Sequence, residues 1–186
     1  MNRREALSAT AALMGTAIIG SQAFLSGCTR TENRVADFNA DVLALLDEIG
    51  ETILPASASS PGAKESRIGE FMKVMVTDCY SPSEREKFLA GLSVVQKVAK
   101  EKYGSAFIEL TEKEKTDLLL AFDQEARAAV KADGDSGHFF TMLNQLTLWG
   151  FFSSEAGATR ALRFVPIPGR YEGCIPYIEG EGAWVY

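Results

Sequence analysis

Apolar residues recur at spacings of three and four through most of this chain, which commits it to amphipathic helices around a shared core. Residues 37–54 carry Val42, Leu45, Leu46, Ile49 and Ile53 at helical spacing, and Pro55 stops the run. A small-residue loop, 56–64, follows. Ile68, Phe71, Met72, Met75, Val76 and Cys79 mark a second helix. Ser81 as N-cap, Pro82 at the first helical position and Glu84 closing a capping box predict the start of a third. Its apolar face is Phe88, Leu92, Val95, Ala99 and Tyr103, and Gly104 ends it. Thr111 and Glu114 form a second capping box, opening a helix through Leu118, Leu119, Phe122, Ala126 and Ala129. The run Asp133-Gly134-Asp135-Ser136-Gly137 breaks it. The expected fold class is therefore all-α, a compact domain of about five helices.

The character changes at His138. The stretch HFFTMLNQLTLWGFFSS is apolar and aromatic nearly all round, as expected of a helix buried in its own core or against another protein. Residues 164–186 hold three prolines, several glycines and many aromatics. They cannot form a helix, lack strand alternation and are too apolar to be disordered by composition. An irregular arm that docks on a surface is expected there.

The N-terminus adds an address. Arg3 and Arg4 precede an uncharged, mildly apolar stretch, 6–27, that ends in Leu25-Ser26-Gly27-Cys28. A charged region, an apolar region and a small-residue cleavage site in that order read as an export signal. The twin arginine points to the Tat route, which carries folded cargo through the Tat translocase. Leu-Ser-Gly-Cys resembles a bacterial lipobox, so cleavage is expected before Cys28 and lipidation on its thiol. The stretch is long enough to span a bilayer, but its polar residues (Ser8, Thr10, Thr16, Ser21 and Gln22 among them) make it a poor hydrocarbon solute. Residues 1–27 are read as signal peptide, 28–36 as a lipidated tether and 37–186 as one domain. The expected location is periplasmic and membrane-anchored through the lipid.

Removing residues 1–27 leaves 159 residues and takes the formal charge from -6 to -7, because Arg3, Arg4 and Glu5 are lost. An acidic chain does not suit nucleic acid. The single histidine, His138, excludes a histidine metal cluster and a pair of catalytic histidines. There is no Cys-x-x-Cys, no Walker-type loop, no Gly-x-Ser-x-Gly elbow and no dinucleotide fingerprint. No catalytic residue, metal site or cofactor is expected in this chain. Cys79 and Cys174 either pair in an oxidising periplasm or stand as two buried free thiols. Asp47, Glu48 and Glu51 lie on the polar face of the first helix and read as solvated.

Leu146-Thr147-Leu148-Trp149-Gly150-Phe151-Phe152-Ser153-Ser154-Glu155, followed by Pro168-Gly169-Arg170-Tyr171-Glu172-Gly173-Cys174-Ile175-Pro176, resembles gluconate 2-dehydrogenase subunit 3. Ile49-Gly50-Glu51-Thr52-Ile53-Leu54-Pro55-Ala56 and Pro61-Gly62-Ala63 are similar to the same family's first helix and loop. The resemblance implies a small subunit whose large partner belongs to the glucose-methanol-choline family, holds FAD, and oxidises a sugar, sugar acid or glycoside. It further implies support of that partner's maturation and export, with a cytochrome c taking the electrons through haem. Trp149, Phe151 and Phe152 are read as partner anchors because aromatics dominate interface hot spots, and the family motif's concentration at Pro168, Gly169, Arg170 and Tyr171 points to the partner interface there. Two alternatives stay open at this stage. His138 or Arg170 reaches the edge of the partner's active site, or the chain is a free-standing exported lipoprotein that binds a small ligand or envelope component. For His138 the plainer reading is a helix cap, and for at least one of the three α-helical aromatics it is ordinary core.

Overall fold

The computed structural model describes residues 38–133, 137–167, 169–170 and 173–185. Arg3, Arg4, Cys28, the tether, Pro168 and Tyr171 lie outside the described residues. Among the described residues are five α-helices: α1 (Ala40–Ile53), α2 (Ile68–Asp78), α3 (Pro82–Tyr103), α4 (Glu112–Asp133) and α5 (Phe139–Ser153). Short 3-10 turns at Ala63–Ser66 and Phe107–Glu109 join them, and a π turn at Gly157–Ala161 follows α5. The all-α class holds. The one addition is a pair of two-residue parallel strands in the arm, β1 (Arg163–Phe164) and β2 (Trp184–Val185).

Both capping boxes form. Ser81 Oγ accepts from the Glu84 N–H, and a Glu84 carboxylate oxygen accepts from the Ser81 N–H at 2.9 Å. The Thr111–Glu114 pair repeats the arrangement, with the Thr111 N–H donating at 3.0 Å. These bonds fill orphan donors at the helix starts. The Ser81 and Thr111 hydroxyls also donate to the Glu84 and Glu114 carboxylates at 2.6 and 2.7 Å, and these hydroxyl bonds, with the N–H bonds, hold both carboxyls below the ordinary carboxylate value. α1 begins three residues later than the expected start at residue 37, because Asn39 caps it through the Val42 N–H at 2.9 Å.

The core takes one stripe from each helix. Leu46 and Ile49 of α1, Ile68, Met72 and Val76 of α2, Phe88 and Val95 of α3, Leu118 of α4, and Leu143 and Leu146 of α5 are fully buried. α5 packs against all four other helices, which explains a sequence apolar on nearly every face. Its approach to α3 depends on Gly91, where an added Cβ would stand 2.3 Å from the Phe139 ring. Thr147, fully buried in α5, satisfies its hydroxyl by donating to the Leu143 carbonyl at 2.8 Å.

Candidate partner interface

α5 does not bury all its apolar residues. Phe151 is 2 % exposed and belongs to the core, whereas Trp149 is 66 % and Phe152 38 % exposed. Phe151 is thus corrected from interface residue to core residue: its ring lies on the inward stripe with Leu143 and Leu146, while Phe152 is edge-on to it at 5.1 Å. Leu148 and Phe152, one turn apart, line two neighbouring grooves that share Leu54. Helical spacing sets these two side chains on one outer ridge.

The arm is held by a small clasp. After α5, Ser154 Oγ accepts from the Gly157 N–H at 3.0 Å, lies 2.9 Å from Ser66 Oγ, and donates to the Phe151 carbonyl at 2.7 Å. A Cβ at Gly157 would lie 2.0 Å from that same carbonyl oxygen, so the turn has no room for a side chain. The chain then runs into β1, which pairs in parallel with β2 in the register Arg163 with Trp184 and Phe164 with Val185. The Arg163 guanidinium lies 4.0 Å over the Trp184 ring and 3.1 Å from the Glu181 carboxylate. The described residues between the strands expose apolar side chains, including Ile167 at 82 % and Tyr177 at 87 %. Gly169, with φ at +76°, and Arg170 are exposed on the same stretch.

A groove of about 840 Å³ runs between the arm, the end of α5 and the loop after α1. Leu54, Phe152 and Phe164 supply apolar surface, with Arg160 and Arg163 among the polar lining. Arg160 is bonded to Glu65.

The acidic face of α1 is the feature the sequence misplaced. Glu51 is not merely solvated. One carboxylate oxygen accepts from the Ala56 N–H at 3.0 Å and the other from the Lys64 N–H at 2.9 Å, pinning both ends of the loop that walls the groove. Gly62 packs so closely that a Cβ there would stand 2.1 Å from the Glu51 carboxylate. Asp47 accepts from the Gly69 N–H at 2.7 Å and satisfies a donor in the first turn of α2. Glu48 binds Lys115 at 2.6 Å and Lys64 at 2.8 Å. Burial pushes the Glu48 carboxyl up, but the two ammonium groups outweigh it and hold the pKa below its ordinary value. The same contact raises that of Lys64. The clue was the carboxylate of Glu51 four residues before Pro55, inside a segment that ends in a turn.

His138 caps α5: its Nδ1 accepts from the Phe140 N–H at 3.2 Å, and its ring stacks on Phe139 at 4.7 Å. Nε2 lies 4.0 Å from a Glu125 carboxylate oxygen. Cys79 and Cys174 are free, exposed thiols, so neither the pairing nor the buried-thiol alternative holds. Cys79 follows α2 as its C-cap, and Cys174 lies on the arm between β1 and β2. Among the described residues no group of three or more His, Cys, Asp or Glu is placed to hold a metal ion. None of their helices is long and apolar enough to cross a membrane.

The family described as gluconate 2-dehydrogenase subunit 3 matches residues 40–169, from the first residue of α1 into the arm. The chain belongs to that family. The subunit 3 match includes the Glu51-pinned loop, the end of α5, the π turn and β1, which line part of the groove, while Gly180, Glu181 and Gly182 of its lining lie beyond the match. It makes the chain a small subunit of a dehydrogenase complex. Neither the curated proteins nor the solved structures return a match.

Proposed function

We propose that this chain is the non-catalytic small subunit of a periplasm-facing, FAD-dependent dehydrogenase whose large subunit is of the glucose-methanol-choline type. The large subunit holds the flavin and oxidises a sugar, sugar acid or glycoside, and a cytochrome c accepts the electrons. The small subunit supports maturation of that partner, carries it through the Tat translocase on Arg3 and Arg4, and tethers it to the membrane through a lipid on Cys28.

The observation that carries this reading is the surface of α5 and the arm. Large apolar side chains stand exposed there beside a groove, on a chain that matches a dehydrogenase small-subunit family. Exposed apolar surface of this extent marks an interaction site. Oxidation of an alcohol needs a base beside the hydroxyl, and the one histidine here is occupied as a helix cap.

Deleting this chain in its native host tests the proposal. Dehydrogenase activity and flavin then disappear from the periplasmic and membrane fractions, and the large subunit stays in the cytoplasm. Arg3→Lys with Arg4→Lys reproduces that loss, and Cys28→Ser moves the complex to the soluble periplasm. An exported, active dehydrogenase in the deletion strain would contradict the proposal.

A further inference from the structure

The groove beside Phe152 has features of a channel for polypeptide. Its walls carry small residues, Ser59, Ser60, Gly180 and Gly182, which leave backbone groups within reach of an occupant. One wall is preformed, because Glu51 pins the loop at both ends, and preformed sites bind with less ordering cost. The other wall includes β1. The N–H groups of Arg163 and of Val165, the residue just after β1, donate to the Ala183 and Val185 carbonyls at 2.9 Å. The N–H and C=O of the intervening Phe164 therefore face the opposite edge, which is unpaired among the described residues and open to strand addition.

The charges say what fits. Arg160 is bonded to Glu65, and Arg163 is bonded to Glu181 and stacked on Trp184. These cations of the lining are already neutralised, so an anionic ligand meets no free positive charge from them. The exposed parts of the large apolar side chains on α5 and the arm amount to on the order of 1,000 Å², at about 200 Å² for each whole side chain. One side of a stable protein interface covers about 800 Å².

We infer that the groove receives an extended, uncharged segment of the dehydrogenase large subunit. That segment adds to the β1 edge and seats apolar side chains against Phe152 and Leu54, a strand-addition mode of recognition. The inference rests on the subunit reading above.

The test uses the full chain co-expressed with its large subunit. A photo-crosslinking amino acid in place of Ser59 yields, after irradiation and mass spectrometry, a linked peptide from the large subunit. Crosslinks only within this chain, to a second copy of it, or to lipid would overturn the inference. Phe164→Glu lowers recovery of the large subunit at least tenfold, with the unfolding midpoint of the small subunit unchanged. Undiminished recovery would also overturn it. If the unsubstituted chain recovers the large subunit and both groove results fail, only the groove assignment falls. If the unsubstituted chain recovers no large subunit, the subunit reading falls and the groove assignment with it.

Discussion

Glu48 and Lys115 meet at 2.6 Å across 67 positions of sequence and tie α1 to α4. The Lys115 side chain is almost wholly buried, whereas that of Lys64, the second cation on Glu48, is mostly exposed. Glu48→Ala strands the Lys115 ammonium and should cost about 2–3 kcal/mol. Lys64→Ala removes an exposed pair and should cost less than about 1 kcal/mol. Denaturant midpoints of the two variants should differ in that order; equal costs would show that the buried contact is not formed.

The same contact gives a pH dependence. The Glu48 carboxyl is held below its ordinary value, so its stabilising contribution is complete above that value. It is lost as pH falls through the lowered folded value. The Glu84 and Glu114 carboxyls of the two capping boxes shift in the same direction and add to the loss. Stability measured at descending pH should therefore fall below pH of about 4.5, and Glu48→Gln should flatten that limb. An unchanged slope in the variant would show that Glu48 does not set the acid limb.

His138 gives a prediction that separates a cap from a catalytic edge. His138→Asn keeps an acceptor at the N-cap and should leave stability within about 0.5 kcal/mol, whereas His138→Ala should cost about 1 kcal/mol. Turnover by the assembled dehydrogenase should be unchanged in both. A fall in turnover without loss of assembly would place His138 at the partner's active site.

Gly157 sits where no side chain fits, 2.0 Å from the Phe151 carbonyl oxygen for an added Cβ. Gly157→Ala must open the π turn and displace β1, so it should destabilise by about 1–3 kcal/mol and also weaken partner recovery. Gly169→Ala, on the exposed stretch with nothing within 4 Å of its Cβ, meets only the strain of its positive φ. A melt in which Gly157→Ala proves as harmless as a surface change would contradict the turn's geometry.

Both cysteines should react with a maleimide in the native state, since Cys79 and Cys174 are free and exposed. Intact-mass analysis of the domain, residues 37–186, should show two additions without denaturant or reductant. A single species two hydrogens lighter, with no addition, would indicate the disulfide.

Much of the fold was legible because it is local. The capping boxes at Ser81 and Thr111, the helix stop at Pro55 and the apolar stripes of α1 to α4 are all set within a few residues of sequence. The roles of Asp47, Glu48 and Glu51 were not, because each is fixed by a partner 13 to 67 positions away, and a polar helix face looks the same whether solvated or clamping a loop. α5 shows the same divide. Its all-round apolar sequence announced burial, but Phe151 and Phe152 are neighbours of one residue type, and only the packing against α1 to α4 turns one inward and leaves the other out. The strand pair of the arm depends on a return from Arg163 to Trp184, which no local periodicity records.

The exposed aromatics make the surface testable directly. Trp149→Ser and Tyr177→Ser remove side chains that are more than half exposed. They should change stability by less than about 0.5 kcal/mol while making the isolated domain more monodisperse. Light scattering that shows no gain would argue that this surface is not adhesive.

Association with a flavin-bearing large subunit is the proposal on which the others depend. The most direct measurement is a mild-detergent purification of the tagged chain from its native host, read by mass spectrometry and flavin absorbance. A roughly stoichiometric, FAD-bearing large subunit is expected, retained by the unsubstituted chain and lost with Trp149→Ser combined with Phe152→Glu. Recovery of this chain alone, colourless and soluble, would contradict the association.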